Sequence, residues 1–475
     1  MQRHRFARYL ALIASIALLP TAARAQAFGI NEIGTCAASR AFAVTGSPCS
    51  DASTIFWNPG VVSGQKGWNV LGGVAAISIN SSFVQDTTFA EHEGDVPLAL
   101  VPHLFANYAP ENSRLTYGVG VYVPYGLTSQ WKDDFPGRFQ AQKASLASVY
   151  VQPNVAYQVN DVWSIGGGPV VAHSTVELIQ ALDLSAQATT TPGVTFAQLG
   201  IPLRTEFGRA NLNGDAFAFG AHVGLFARPN ENWTMGLRFL TPLEFEYEGA
   251  EATFTKTATG IVLPAGNPIC LGNPAACGGD ANGTADIDAI LSTQFTGSGA
   301  LVTQEVSTKV THPAQIQAGF GYSGFPNWLV SVDYAWTGWK RFNELPVTFS
   351  GPASGSNRVL IEDYNNTSAL RVGAQRMFTG GAQLRLGFSG IASAAPDETV
   401  TPLLPEQDRA YGSIGGSYPI TSKLTVEGAF LRVFAPGKRG RIVERDARTQ
   451  TAVQLNSGVY DLSANVFSIS LKANY

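Results

Sequence analysis

Five histidines beyond the first 25 residues (His92, His103, His173, His222 and His312) and four cysteines (Cys36, Cys49, Cys270 and Cys277) are the side chains that could hold a metal or activate a nucleophile. Their spacing argues against both. The histidines are scattered, none stands near either cysteine pair, and no CxxC occurs. Glu91-His92-Glu93 could bind a metal weakly, but three polar residues in a loop read first as solvated charge. No GxSxG, HExxH or P-loop is present. The GVG at Gly118 to Gly120 lacks the third glycine and the following helix that would cradle a phosphate. The chain is therefore expected to have no catalytic residue, no cofactor and no metal. Four thiols allow three connectivities, and closeness in sequence favours Cys36–Cys49 and Cys270–Cys277 in an oxidising compartment.

The elements around these residues are exported. Residues 1–25 carry Arg3, Arg5 and Arg8, then an apolar run from Tyr9 to Leu19, then Ala23-Arg24-Ala25. That is the pattern of a secretory signal peptide. The run is about 11 residues, too short for the roughly 20 that span a membrane. Losing four arginines would take the net charge from −4 to −8, with 27 basic residues left against 35 acidic ones, so a nucleic-acid surface is not expected. Charged residues are only 14% of the chain, against roughly 25% in soluble domains. No later stretch is apolar enough for a membrane helix.

Period-two alternation fills the rest. Trp328, Val330, Val332, Tyr334 and Trp336 alternate with Leu329, Ser331, Asp333 and Ala335. Ala382, Leu384, Leu386 and Phe388 alternate with Gln383, Arg385, Gly387 and Ser389, and Phe467, Ile469, Leu471 and Tyr475 with Ser468, Ser470, Lys472 and Asn474. A buried sandwich would also alternate. Charges on the polar face (Arg385, Glu427, Asp333), aromatics at strand ends, and connections alternating short and long favour a membrane barrel with a wet lumen. The short turns include Asn160-Asp161, Pro326-Asn327 and Thr379-Gly380; the longest connection runs from about Glu248 to Val310. The expected fold is all-β: a 14-stranded antiparallel transmembrane barrel over residues 68–475 in the Gram-negative outer membrane, with both barrel ends periplasmic. Outer-membrane lipid and lipopolysaccharide would surround it, the barrel assembly machinery would engage Tyr475, and it would act as a monomer.

Residues 26–67 do not alternate. They are small, contain Cys36 and Cys49, and include Ile55, Phe56 and Trp57, poor choices for a solvated tail. A compact N-terminal hatch that plugs the lumen suits a barrel of this width.

One strand is spoiled. GVGVYVPYGLTSQW, residues 118–131, alternates Leu115, Tyr117, Val119, Val121, Val123 and Tyr125 against Thr116, Gly118, Gly120, Tyr122 and Pro124. Pro124 and Gly126 then interrupt it. Either the strand ends at Val123, or the wall kinks there and opens a gap.

Here the sequence resembles a known family. FGINEIGTCAASRAF (28–42) and SDASTIFWNPG (50–60) resemble the hatch of the FadL family of outer-membrane transporters for hydrophobic compounds, with Asn58-Pro59-Gly60 where that family carries Asn-Pro-Ala. VYVPYGLTSQWKDDFPGRFQAQ (121–142), QPNVAYQVNDVWSIGGG (152–168) and WLVSVDYAWTGWKRFNELPV (328–347) are similar to its aromatic-hydrocarbon branch. The resemblance implies passive uptake of long-chain fatty acids or aromatic or aliphatic hydrocarbons. Substrate would be captured at the outer loops, enter the lumen and leave sideways at a kinked third strand, here Pro124, Tyr125 and Gly126. It implies that the mature N-terminus (Gln26, Ala27, Phe28) reaches the ligand. Trp131, Phe135, Pro136 and Phe139 become capture candidates. Gln180 stands where fatty-acid members place a basic residue, which favours an uncharged substrate. A general diffusion porin, or a barrel acting through its loops as an adhesin or receptor, is the alternative.

Overall fold

The computed structural model describes residues 27–62, 66–189, 194–442 and 457–475. The expected signal peptide and Gln26 lie outside the described residues. Fourteen antiparallel strands close into one barrel. They are β1 (Gly67–Gln85), β2 (Ala99–Ala109), β3 (Leu115–Gln130), β4 (Lys143–Gln158), β5 (Trp163–Asp183) and β6 (Glu206–Ala227). Next come β7 in two pieces (Trp233–Leu240, Leu243–Lys256), β8 in two pieces (Gln304–His312, Gln315–Tyr322) and β9 (Trp328–Thr337). The wall ends with β10 (Thr367–Met377), β11 (Gln383–Ile391), β12 (Arg409–Pro419), β13 (Leu424–Gly440) and β14 (Gly458–Asn474). Closure is made by β1 on β14, from Asn69↔Asn474 to Gln85↔Gly458. A closed sheet has no edge, which is what lets strands cross a bilayer.

The alternation does what the pattern predicts. Leu384, Leu386, Phe388, Phe467, Ile469 and Leu471 face outward, while Arg385, Ser389, Ser468 and Ser470 are buried inside. Exposed Trp68, Trp163, Trp233, Trp328, Tyr418 and Tyr475 ring the short-turn rim, where amphipathic rings suit a bilayer interface. Tyr475 is tied into closure: its N–H donates to the Trp68 carbonyl and the Trp68 N–H to its own, both at 2.9 Å.

Two expectations need correction. Several strands run further at the long-loop end than alternation marks: β5 continues to Asp183, β13 to Gly440, and the β7–β8 connection shrinks to residues 257–303. Beyond the bilayer the oily face is no longer needed, so the periodic signal fades while the backbone ladder continues. The lumen is also not wet beside Asp333, Arg385 and Glu427. All three are buried.

The reason is the N-terminal segment, residues 27–62, which lies inside the barrel and is almost wholly buried. It carries two short helices, α1 (Thr35–Ser39) and α2 (Thr54–Trp57), and the Cys36–Cys49 disulfide. Wall charges bind its backbone. Asp333 accepts from the N–H groups of Thr45 (2.6 Å) and Gly46 (3.3 Å), and Arg238 donates to the Phe56 carbonyl at 3.2 Å. Arg385 pairs with Glu427 at 3.1 Å. Wall glycines let the segment approach closely. A Cβ on Gly236 would sit 2.0 Å from the Thr45 carbonyl oxygen, and one on Gly387 2.2 Å from the Arg40 carbonyl carbon. The second disulfide, Cys270–Cys277, staples a loop that packs with Leu184, Phe196, Ile201 and Phe207 in a separate apolar cluster above the barrel.

Candidate functional site

β3 does not end at Val123. It continues to Gln130 through a bulge: Tyr122 pairs with Tyr150, but Tyr125 pairs with Ser148, so three steps on β3 match two on β4. One extra residue flips the face parity. Tyr125, which simple alternation puts on the oily face, therefore points inward with Tyr122, and both are fully buried. Its hydroxyl crosses the lumen, donating to the Pro313 carbonyl at 2.9 Å and accepting from Gln315 Nε2 at 2.8 Å.

The bulge costs β3 its other neighbour. The β2–β3 ladder runs from Tyr108↔Tyr117 to Leu104↔Val121 and stops. Ala99 to His103 of β2 keep β1 as a partner but have none on the β3 side. The freed edge of β3 is taken up by the N-terminal segment: the Ile30 N–H donates to the Pro124 carbonyl (2.8 Å) and the Gly126 N–H to the Phe28 carbonyl (2.9 Å). Pro124 thus offers only the carbonyl this pairing needs. Gly126 leaves room for Ile30, whose Cδ1 lies 2.6 Å from where a Cβ would stand.

A cavity of about 330 Å³ occupies the resulting space. Leu100 and Val101 of β2, Val123 and Leu127 of β3, and Gly29 and Ile30 line it. Leu127, Ser145, Leu146 and Leu404 are shared with a second, inner groove of about 100 Å³. That groove is walled by Phe28, Leu178, Leu212, Phe342, Val347 and Leu403. Glu177 is the one charged residue among its lining, and Lys143 pairs with it at 2.6 Å. Phe28 separates the groove from an aromatic cluster, with ring centroids 4.7 Å from Trp339, 5.4 Å from Phe342, 5.7 Å from His312 and 6.0 Å from Tyr125. Ala27 is anchored by its N–H to Glu406 Oε1 (2.8 Å) and its carbonyl to Arg409 (3.2 Å). Burial pushes the Glu406 carboxyl above the usual carboxylate range.

The other expected residues fall elsewhere. Asn58 braces the N-terminal segment, donating from Nδ2 to the carbonyls of Thr45 and Leu225, both at 3.1 Å. The Pro59 and Gly60 carbonyls accept from Asn154 and Ser164. Trp131 and Phe135 are stacked at 4.3 Å and fully packed beneath the loops against Phe83 and Tyr460. Neither lines either cavity, and Phe139 lies under Arg138. Half-buried Pro136 lines neither cavity. The loop beyond β3 packs over the barrel rim, so its aromatics are spent on cohesion. The groove is lined instead by Phe342, Leu345 and Val347 from the β9–β10 connection and Leu403 and Leu404 from the β11–β12 connection. Apolar residues in outer loops (NELPV, TPLLPE) were the available signal, and nothing in their spacing says where they fold. Gln180 is engaged, donating to the Phe139 carbonyl and accepting from Arg358. Glu93 faces Lys132 at 2.8 Å.

The comparisons with known proteins agree with this architecture. A family model described as outer membrane protein transport protein (OMPP1/FadL/TodX) matches residues 16–475. The chain belongs to this family. The long-chain fatty acid transport protein of Escherichia coli O157:H7 is 22% identical over 435 residues, covering 88% of this chain and 90% of the relative. Among solved structures, a Pseudomonas aeruginosa FadL homologue superposes with a TM-score of 0.74 at 19% identity, covering 94% of this chain and all of its own. The Pseudomonas putida toluene transporter TodX gives 0.65 at 15% identity, covering 95% and 100%. These likenesses share one fold. The family member is thus an outer-membrane transport protein.

Proposed function

We propose that this chain is a passive carrier of uncharged apolar molecules, hydrocarbons foremost, which enter the inner groove from the loop side and leave sideways between β2 and β3 into the membrane. The observation that carries the reading is the stopped β2–β3 ladder with a mostly apolar cavity on its freed edges, where the charges that share the lining are Glu32 and the paired Glu406 and Arg409. An unpaired wall segment at bilayer depth is tolerated only where it lines a cavity or touches protein. Sideways release also spares the substrate from water, where each exposed CH₂ costs about 0.8 kcal/mol. Relatives are named for long-chain fatty acids and for toluene. The groove lining offers no free cation for a carboxylate, since its one charge is the paired Glu177. Residues 27–62 act in this reading as the hatch, and Ala27 to Ile30 as the part that a substrate displaces. The gradient of the substrate drives transport. A diffusion porin is disfavoured because the hatch fills the lumen. The chain works as a monomer in lipopolysaccharide and lipid, with Tyr475 presented to the assembly machinery.

The test is uptake of labelled toluene and labelled oleate by cells carrying the wild-type chain or the Pro124→Ala, Gly126→Val variant. Toluene uptake should fall several-fold in the variant and exceed oleate uptake in the wild type. Unchanged toluene uptake would overturn the β2–β3 route.

A further inference from the structure

The wall is broken a second time, on the far side of the groove. The β6–β7 ladder runs from Gly208↔Lys256 to Asn213↔Glu251 and resumes only at His222↔Leu240. Thr241 makes one isolated link there, its N–H to the Ala221 carbonyl and its hydroxyl accepting from the Ala221 N–H. Residues 214–220 of β6 keep their pairing to β5, and 243–247 and 250 of β7 keep theirs to β8, so both are strand with one unpaired flank. Two irregularities in β7 cause the mismatch. Thr241-Pro242 splits the strand, and a bulge containing Gly249, at φ 68°, shifts its register against β8. Pro313-Ala314 splits β8 at the same level.

At the unpaired stretch the two strands lap instead of abutting. Tyr247 passes over the inner face of β6 and donates its hydroxyl to Ser174 on β5, the residue opposite Ala216. The lap borders the inner groove, whose lining includes Gly214 on one flank and Ala250 on the other. The height is that of the β2–β3 break: Tyr125 lies ten residues above Leu115, and Phe217 ten residues above Ala227. The outward face changes character there. Phe217 and Phe219 are 63% and 74% exposed, and beside them stand Asp215, Glu244, Glu246 and Glu248. Lys309 is held between Glu244 and Glu246, and His173 against Asp215. An aromatic patch giving way to carboxylates marks the outer-leaflet interface.

We propose that the β6–β7 lap is a second opening in the wall, through which uncharged apolar molecules pass between the outer-leaflet interface and the inner groove. It rests on the proposed carrier reading and adds a side entrance to it. Unpaired backbone at this depth calls for the same account as at β2–β3. The cavity on its inner side is apolar, and the carboxylates on its outer side repel an anionic headgroup.

Photo-crosslinking in lipid nanodiscs tests it, with dodecanol carrying a diazirine at its tail and the matching dodecanoate at pH 8. Probe dissolved in the bilayer labels outward Phe217 and Phe219 in any case, so the readout is labelling of inward Gly214, Ala216 and Ala250. These should be labelled by the alcohol and about tenfold less by the carboxylate. Gly214→Val, whose Cβ falls 2.6 Å from the Ala250 Cβ, should abolish that labelling and leave inward Val101 and Leu127 labelled. Ala250→Leu serves if that variant does not assemble. Label confined to Phe217 and Phe219 on this side overturns the proposal, and label at inward Val101 and Leu127 then leaves the carrier reading standing. Label at Gly214 and Ala216 with none at inward Val101 supports the second opening and overturns the β2–β3 route. No label at any inward residue overturns both.

Discussion

The barrel has two unlike arcs. From β9 round through β14 and β1 to β2, every ladder is continuous along the shared length of its strands, apart from one bulge near the outer end of β13. From β2 to β8 the wall is interrupted repeatedly, at the β3 bulge, at Pro153 and Pro169 between β4 and β5, at the β6–β7 lap and at Pro313. Both arcs hold the same N-terminal segment, and both grip it with buried charge and close glycines. The difference lies in what stands above that segment. The interrupted arc faces the apolar groove, where freed backbone is covered by cavity, Phe28 and Tyr247. The continuous arc supplies rigidity.

Perturbing each arc should separate these roles. On the continuous arc, Glu427→Ala strands Arg385 without its buried partner and should cost about 3–5 kcal/mol. A lowered unfolding temperature in detergent would show it, with uptake per folded molecule unchanged. Gly387→Val forces a side chain into the Arg40 backbone. Overpacking of about 1–3 kcal/mol should loosen the N-terminal segment, and single-channel recording would detect this as an ion conductance above that of the wild type. On the interrupted arc, Tyr125→Phe removes both hydroxyl bonds across the lumen, about 1–3 kcal/mol, and should change toluene uptake more than unfolding temperature. If it shifts only stability, the functional contrast between arcs fails. Removing Cys270 and Cys277 together should cost the outer loop about 2–3 kcal/mol, seen as faster local proteolysis with transport kept. The smallest effect concerns pH. Burial raises the Glu406 carboxyl, against the pull of Arg409 and Lys438. A raised folded-state value means its contribution is full at acid pH and lost as pH climbs through that value. The protection of the Ala27 to Ile30 amides against hydrogen exchange, relative to their intrinsic rates, should therefore fall modestly from acid to neutral pH.

Much of this was legible beforehand because a bilayer imposes a simple rule. Period-two alternation at 328–336 and 382–389 reads directly as wall, and turn residues such as Asn160-Asp161 mark where strands reverse. Cysteines near in sequence paired as their spacing suggested. The same rule misleads where the lattice is interrupted. Counting by twos puts Tyr125 on the oily face, because one bulged residue is invisible in a string of letters. Trp131 and Phe135 read as capture candidates, and aromaticity does not reveal that both side chains are buried in loop packing.

Composition and periodicity alone determined an exported barrel of fourteen strands with a non-alternating segment ahead of it. Those properties depend on which residues water or lipid will accept, and each residue carries that preference locally. Only the tertiary structure decided where the ladders stop, what fills the space behind them, and that Leu345, Val347, Leu403 and Leu404 meet Leu127 and Leu146. Such contacts join positions hundreds of residues apart, and hydrogen-bond register across a closed sheet is a property of neighbours, which no single strand contains.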